Sequence, residues 1–366
     1  MTDIEYMRYA LELARKGCGW VNPNPMVGAV IVKDGEIIGE GFHEKYGQYH
    51  AERNALNSCN QSAKGATLYV TLEPCCHYGK TPPCTEAIIE NGISRVVIGS
   101  SDPNPLVAGN GIRLLQNHSI EVVVGVLKEE CDSLNEVFFH FIKTRSPYVV
   151  MKYAMTMDGK IATNTGKSKW ITGEAARQRV HEDRHRYSAI MAGIGTILSD
   201  DPMLTCRLQN RKNPVRIICD THLRTPITSN VVATAFQAKT VICTACTDSK
   251  KHKAYLDEGC EIIKLPIKNG HIDLNILMTE LGKKNIDSIL LEGGSTLNWS
   301  ALESGIVNKV QAYIAPKLFG GNDSKSPIGG AGLDDPKDAF RLINPKVTCY
   351  DDDILIESEV LTCLQE

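Results

Sequence analysis

An α/β chain of two consecutive domains is what this sequence of 366 residues predicts. Three features point there. Helical and strand periodicities alternate along the whole length. The pattern breaks near Thr144–Pro147 and then restarts. At about 100–200 residues per domain, a chain this long supports two separate cores. The boundary is expected to divide residues 1–145 from residues 146–366.

Within the first part, residues 6–17 carry Met7, Ala10, Leu11, Leu13 and Ala14 at helical spacing, ahead of a Gly- and Pro-rich stretch over 17–25. Residues 27–32 and 36–41 read as strands around a Lys33-Asp34-Gly35 turn, a hairpin signal. A helix is expected over 50–59, a strand over Thr67–Leu72, a helix over 85–91 closed by Gly92, and a strand over 95–98. Residues 121–126 form another apolar strand, and one helix should run from 128 to 143, ending before Pro147. In the second part a strand over 148–154 comes first. A polar helix over 174–187 then leads into the small-residue strand Ala189–Gly193. Residues 216–220, 240–243, Glu261–Lys264 and Ser288–Leu291 look like buried strands, with a further one over 308–314. Each part therefore reads as a mixed sheet with helices against it.

Composition removes several function classes. The 40 basic and 43 acidic residues give a net charge of −3, without the basic excess or stripe of a nucleic-acid binder. With 42% apolar and 23% charged residues, the chain is neither disordered, collagen-like nor a coiled coil. No apolar run approaches the ~18 residues needed to span a bilayer. The N-terminal residues, with Asp3 and Glu5, lack the basic and apolar regions of a signal peptide. The 13 cysteines form no disulfide framework. A soluble, reduced, cytoplasmic protein is expected, in which a Cys cluster is metal-binding or catalytic before it is a disulfide.

One such cluster stands out. His50-Ala51-Glu52 opens a helix after a loop, Glu73-Pro74-Cys75 follows a strand, and Cys84 begins the next helix. Catalytic zinc takes three N or S ligands from the protein and keeps a fourth position for water. His50, Cys75 and Cys84 meet that demand. Glu52 can then shuttle a proton to a leaving amine without touching the metal. H-x-E followed by P-C and a second Cys is the signature of zinc nucleobase deaminases. The competing readings are a closed structural zinc site with Cys76 as fourth ligand, or no metal. Neighbouring residues rarely aim at one ion, which favours the catalytic reading.

Eight residues separate Cys75 from Cys84, where most such deaminases have two. That insert makes the match narrow. Glu73-Pro74-Cys75-Cys76-His77-Tyr78-Gly79-Lys80-Thr81-Pro82-Pro83-Cys84 resembles the deaminase half of the bifunctional riboflavin biosynthesis deaminase/reductase family. Asn22-Pro23-Asn24-Pro25, Val27-Gly28, Gly41-Phe42-His43 and Asp102-Pro103-Asn104-Pro105 match it too. The resemblance implies a cytidine deaminase-like three-layer domain that uses one zinc ion. It also implies hydrolytic deamination of 2,5-diamino-6-ribosylamino-4(3H)-pyrimidinone 5′-phosphate. His77, Lys80 and Thr81 would then approach the pyrimidine or its phosphate. Cys76 stands where relatives often have Ser, which leaves the ligand set intact.

The second part carries a different constellation. The strand Ser288–Leu291 runs into Glu292-Gly293-Gly294-Ser295-Thr296 and then a helical stretch. Such glycines let backbone N–H groups approach a phosphate, and the helix N-terminus favours the anion. Taken alone the signal is weak, and it is not a Rossmann G-x-G-x-x-G. Several stretches resemble the reductase half of the same family: 152–160, Ser168-Lys169-Trp170-Ile171-Thr172, Gly193-Ile194-Gly195-Thr196, 200–207, Pro214-Val215-Arg216 with Asp220, and 292–297. The resemblance covers nearly the whole chain. It implies a dihydrofolate reductase-like fold and NADPH-dependent opening of the ribosyl ring to give 5-amino-6-(5-phospho-D-ribitylamino)uracil. By the same resemblance Ala154, Trp170, Thr196, Asp200, Gly294, Ser295 and Thr296 would line the cofactor. Ser168, Arg184, Leu204, Arg207 and Glu292 would hold the substrate, and Lys152 with Glu292 would polarise the opened sugar. A small riboside phosphate is thus the expected partner, with no nucleic acid, no membrane, and a homo-oligomeric assembly.

Two tempting motifs are set aside. His181-Glu182-Asp183-Arg184-His185 matches the zinc-protease H-E-x-x-H, but it sits in a heavily charged helix expected to be solvated. Cys243-Thr244-Ala245-Cys246 has redox spacing, yet it closes an apolar strand where cysteines behave as small hydrophobes. The rival functions are a nucleic-acid editing deaminase, which the acidic balance disfavours, and a second domain that binds without catalysing.

Overall fold

The computed structural model describes residues 1–78, 82–104 and 108–361. They divide into two compact units, Met1–Arg145 and Ser146–Glu366.

The first unit is built on five strands: β1 (Gly28–Lys33), β2 (Glu36–Phe42), β3 (Thr67–Leu72), β4 (Arg95–Ser100) and β5 (Glu121–Val124). They lie in the order β2-β1-β3-β4-β5. β1 runs antiparallel to β2 and β3, whereas β3, β4 and β5 are parallel. The two-residue turn between β1 and β2 uses Asp34 at φ 50° and Gly35 at φ 82°, the positive pair that matches strand twist in a tight hairpin.

Alternation along the strands sorts two apolar layers. Ala29, Ile31, Leu68, Val70, Val96 and Ile98 pack with Ala51, Ala55, Ile88 and Leu115 of the helices Ala51–Asn57, Cys84–Glu90 and Asn110–Asn117. Val30, Val32, Tyr69 and Val97 pack with Met7, Ala10 and Leu11 of the helix Asp3–Arg15 and with Cys131. The result is a helix–sheet–helix sandwich of three layers. The helix Asp3–Arg15 rests directly on β1, since a Cβ on Gly28 would lie 1.9 Å from the Ala10 carbonyl oxygen.

The single helix expected over 128–143 is two, Lys128–Leu134 and Glu136–Thr144. Buried Asn135 breaks it: its Oδ1 accepts the Met26 N–H at 2.8 Å and its Nδ2 donates to the Met26 carbonyl at 2.9 Å. The helix Asn110–Asn117 was not foreseen, because Ile112, Leu114 and Leu115 are too few for a periodic signal.

The second unit contains β6 (Tyr148–Thr156), β7 (Ala189–Gly193), β8 (Val215–Cys219), β9 (Thr240–Thr244), β10 (Glu261–Lys264), the small hairpin β11 (Ile267–Lys268) and β12 (His271–Ile272), β13 (Ser288–Leu291), β14 (Val307–Ala315), β15 (Leu342–Tyr350) and β16 (Asp353–Val360). Nine of these form one sheet in the order β10-β9-β8-β7-β13-β6-β14-β16-β15. The first seven are parallel and the last two antiparallel. Both faces of the parallel part are covered. Met151, Met191, Ile217, Val241 and Leu291 meet the helix Leu274–Lys283, while Ile190, Ala192, Ile218 and Ile242 meet Ile197, Val231 and Tyr255 on the opposite face. Burial on both sides explains why these strands read as continuous apolar runs. β15 and β16 escaped the sequence because β15 is an exposed edge, interrupted by a register shift at Asn344-Pro345. Among the described residues no helix is long and apolar enough to cross a membrane.

Two candidate active sites

In the first unit the loop before Ala51, the segment after β3 and the start of the helix Cys84–Glu90 meet at one point. His50 Nδ1 lies 3.5 Å from Cys75 Sγ and 3.4 Å from Cys84 Sγ, and the three donor atoms all fall within 4.8 Å of one another. Tetrahedral zinc, with bonds of about 2.0–2.3 Å, separates its ligand atoms by roughly 3.4–3.8 Å, so the donor set fits the ion. Cys76 is not part of this cluster, which leaves three candidate ligands among the described residues. The two thiols behave as one pair. Cys84 draws the Cys75 thiol far down, helped by His50, while the proton they share keeps Cys84 well above the usual range. Substituting Cys84 with Ala should remove bound zinc and deamination together while reduction continues. Metal analysis of the purified variant checks this, and retained zinc would overturn the ligand set.

Glu52, 3% exposed, lines the same cavity of about 300 Å³ as His50 and Cys75. Burial pushes its carboxyl upward, against the pull of His50. His43 stands behind the ligand ring, edge-on to His50 with centroids 5.4 Å apart. Burial depresses its pKa, so the neutral ring donates from Nδ1 to the Tyr49 carbonyl at 3.0 Å and leaves Nε2 as acceptor for Asn24 Nδ2 at 3.3 Å. His77 also lines the cavity; Lys80 and Thr81 lie outside the described residues, as does Pro105.

Two supports were not legible in the motif. Arg53 reaches back from its helix to the carbonyls of Pro82 (3.2 Å) and Pro83 (2.9 Å), fixing the approach to Cys84. Glu73, 3% exposed, accepts the backbone N–H groups of Asp102, Gly109 and Ile112, tying the segment before Cys75 to the far side of the cavity. Buried Asp102, pushed up to about 6 chiefly by burial, forms part of that wall.

The second unit holds a cavity of about 860 Å³, within the range of small-molecule sites. Its wall gathers Lys152, Ala154, Ser168, Thr196, Asp200, Glu292, Gly294, Ser295 and Thr296. Two glycine turns face each other there: a Cβ on Gly294 would lie 3.7 Å from Thr196 Oγ1. The helix Ser295–Glu303 opens at Gly294 with no side-chain cap, so its first N–H groups face the cavity free to take an anion. A dinucleotide with two linked phosphates fits such a cradle.

Glu292 and Arg184 form a bidentate pair, with Nε–Oε1 at 2.7 Å and Nη2–Oε2 at 2.9 Å, each side chain only 13% exposed. Burial alone would raise the Glu292 carboxyl; Arg184 and then Lys152 bring it down to about 2. The third guanidinium nitrogen donates to the Thr205 carbonyl at 3.0 Å. Arg184 is therefore committed to a carboxylate and a loop, and it orders the segment carrying Leu204 and Arg207. Leu204 itself is buried at φ 50°, and Arg207 is exposed; neither lies on the cavity wall. Trp170, 58% exposed and also off the wall, has the Arg177 guanidinium 4.8 Å above its ring.

The helix Glu174–Arg186 is not solvated as its charge suggests. It buries Ala176, Val180, Asp183 and His185, packing on Tyr313 and Leu355. Arg179 neutralises Asp183 at 3.0 Å. The histidines of its H-E-x-x-H motif accept the N–H groups of Arg207 (3.3 Å) and Lys212 (3.2 Å). They hold a loop, and among the described residues they join no metal cluster. Cys243 is fully buried in the core, in keeping with a small hydrophobe.

Comparison with known proteins follows this division. Residues 1–100 match the cytidine and deoxycytidylate deaminase zinc-binding region family, and residues 147–356 match the RibD C-terminal domain family. The riboflavin biosynthesis protein RibD of Actinobacillus pleuropneumoniae is 56% identical over 364 residues, which span 100% of this chain and 97% of its own. That of Bacillus amyloliquefaciens is 44% identical over 350 residues, 95% and 94% of the two chains. A solved diaminohydroxyphosphoribosylaminopyrimidine deaminase/5-amino-6-(5-phosphoribosylamino)uracil reductase from Thermotoga maritima superposes with a TM-score of 0.86 at 40% identity, covering 98% of this chain and 99% of its own. Acinetobacter baumannii RibD superposes with a TM-score of 0.87 at 36% identity over the same shares.

Proposed function

This chain belongs to the RibD family of bifunctional riboflavin biosynthesis enzymes, and from that premise we propose that its two activities are divided between its two units. The enzyme is a zinc-dependent deaminase and an NADPH-dependent reductase. It hydrolyses the amine from 2,5-diamino-6-ribosylamino-4(3H)-pyrimidinone 5′-phosphate and reduces the ribosyl chain to give 5-amino-6-(5-phospho-D-ribitylamino)uracil. Residues 1–145 would deaminate and residues 146–366 would reduce. The meeting of the His50, Cys75 and Cys84 donor atoms at one point, beside a cavity that Glu52 lines with His50 and Cys75, carries this reading.

His50, Cys75 and Cys84 would hold the zinc, which supplies Lewis-acid activation of water when bound. Glu52, buried beside them, takes a proton from the attacking water and returns it to the departing amine, so that water enters and ammonia leaves. Neutral His43 keeps the His50 ring in place, and Glu73 keeps the cavity wall closed behind Cys75.

In the second unit the glycine turns at 193–196 and 293–296 would take the cofactor's phosphates, with Ala154 and Asp200 beside them. NADPH supplies the hydride when bound. Ser168 and Glu292 would face the substrate, with Arg184 positioning Glu292 and ordering the loop that carries Arg207, from which Arg207 would have to swing to reach the sugar phosphate. Burial lowers the pKa of Lys152, which makes its ammonium a readier proton donor to the opening ribose. Trp170 would bear on the cofactor from the loop that begins at Ser168, and Leu204 would shape the turn beneath the substrate. We assign the enzyme to the cytoplasm as a homo-oligomer. Support for assembly comes from β15, an edge strand that pairs only with β16 among the described residues and exposes Leu342 and Val347.

Mass spectrometry of the diaminopyrimidinone riboside phosphate tests the whole reading. Without NADPH an amino-to-oxo shift is expected; with NADPH a further gain of two hydrogens. If the first shift alone appears in both, the second unit is no reductase for this substrate. An unchanged substrate with zinc bound would refute the deaminase assignment.

A further inference from the structure

Lys152 brings a positive charge to the cavity wall of the second unit. Both carboxylate oxygens of Glu292 are taken by Arg184. Among the described residues Lys152 Nζ makes neither an ion pair nor a hydrogen bond. An ammonium taken out of water without such a partner is costly, and burial does lower the pKa of Lys152. Holding its proton until the ribose opens therefore needs some other attraction.

The sheet supplies one. In the parallel pair β6–β14, Lys152 stands opposite Gln311 and Ala154 opposite Tyr313. Residues two apart on a strand share a face, so Lys152 and Tyr313 are diagonal neighbours on one side of the sheet. Lys152 Nζ lies over the Tyr313 ring, 5.6 Å from its centroid, within the distance at which the negative face of an aromatic ring attracts a cation. Tyr313 is fully buried, and Ala176, Val180 and Leu355 hold its ring in place. Its buried hydroxyl has no hydrogen-bond partner among the described residues, so the face of this side chain, not its polar tip, meets a charged group. The other groups acting on the Lys152 charge are Glu292 and Asp183, which favour it, and Arg184, which opposes it. Gln311 beside it is uncharged and donates to Glu357 of β16 at 3.0 Å.

We propose that Tyr313 is a positioning residue for the reduction: its ring face keeps the Lys152 ammonium protonated and placed at the cavity wall until the ribose takes the proton. The proposal rests on the reductase reading above, in which Lys152 is the proton donor. The C1′–O4′ bond of the ribose breaks, the established reaction delivers hydride to C1′, and the proton from Nζ goes to O4′. Lys152 is left neutral, its attraction to the ring lapses, and solvent returns the proton.

The test titrates Lys152 in the full zinc-loaded chain without cofactor, by the pH dependence of its acylation with acetic anhydride read by peptide mass spectrometry. The pH profile of reduction is measured beside it. Tyr313→Phe keeps the ring face and sheds the unpaired hydroxyl, so Lys152 should titrate unchanged and reduction should stay within about twofold. Tyr313→Met fills much of the space without the face. Lys152 should then titrate about 0.5–1.5 pH units lower, and the alkaline limb of reduction should move down with it while deamination is unaltered. Fluorinated phenylalanines at position 313 weaken the face and keep its shape, so the same titration should fall stepwise as ring fluorines are added, even where the methionine variant folds poorly. In Lys152→Met the alkaline limb should be absent, and adding Tyr313→Met should cost no further activity. Equal losses in Tyr313→Phe and Tyr313→Met, or a titration unmoved across the fluorinated series, would overturn the role of the ring. Reduction at the unaltered rate in Lys152→Met would refute the proton-donor reading itself, and the role of Tyr313 would fall with it.

Discussion

Glu52→Gln should retain bound zinc, lose deamination by about 10²–10⁴-fold, and reduce at the unaltered rate. The amide keeps the volume and one hydrogen-bonding oxygen of the carboxylate, so a side chain only 3% exposed is replaced without a cavity. It cannot accept the proton of the attacking water, and that single loss produces the effect. Separate assays of the two half-reactions, together with zinc analysis, make the result specific. Loss of both activities would mean that the two sites depend on one another. Persistent deamination would remove Glu52 from the chemistry.

Arg184→Ala should be the most destabilising change at the reductase site. It leaves the Glu292 carboxylate buried without its bidentate partner, and breaking such a pair costs about 3–5 kcal/mol. For a unit of this size that lowers its melting temperature by roughly 10 °C. Reduction should fall with it, since the loop held through Thr205 is released. The pH dependence fixes the cause. Arg184 and Lys152 hold Glu292 at about 2, below its ordinary 4.5. The pair therefore stabilises the folded state fully above about pH 4.5, and that contribution is lost as the pH falls towards 2. The deficit in Arg184→Ala should accordingly be largest at neutral pH and shrink in acid. The double variant Arg184→Ala/Glu292→Gln should melt higher than Arg184→Ala alone, because no uncompensated charge remains. A deficit indifferent to pH and to the second substitution would place the effect in packing.

How far the sequence spoke for itself depended on how local the signal was. The zinc donors announce themselves because His50, Cys75 and Cys84 each sit at an element boundary and are rare residue types. The parallel strands of the second unit were legible because burial on both faces forces continuous apolar runs; Ala189–Gly193 and Ser288–Leu291 match residue for residue. What escaped was set by partners distant in the chain. Asn135 splits a helix through its bonds to Met26, and the charged helix Glu174–Arg186 is buried because Asp183 finds Arg179 and its apolar residues find Tyr313. The commitment of Arg184 to Glu292 joins residues 108 positions apart. The exposed edge β15 lacks periodicity because neither of its faces is fully covered.

The position of β6 also bears on how the protein is made. It is the first strand of its unit to leave the ribosome, yet it lies between β13 and β14. Tyr148 pairs with Ser288, 140 residues further on, and Val149 with Val307. At about 5–20 residues per second, translation keeps it waiting roughly 7–28 s for its first neighbour. Its apolar residues and both strand edges stay unpaired for that interval, whereas β1 meets β2 across a two-residue turn almost as soon as both emerge. Nascent chains stalled between residues 156 and 288 should therefore be the species that chaperones hold and that aggregate first, with the zinc-binding half already folded ahead of them.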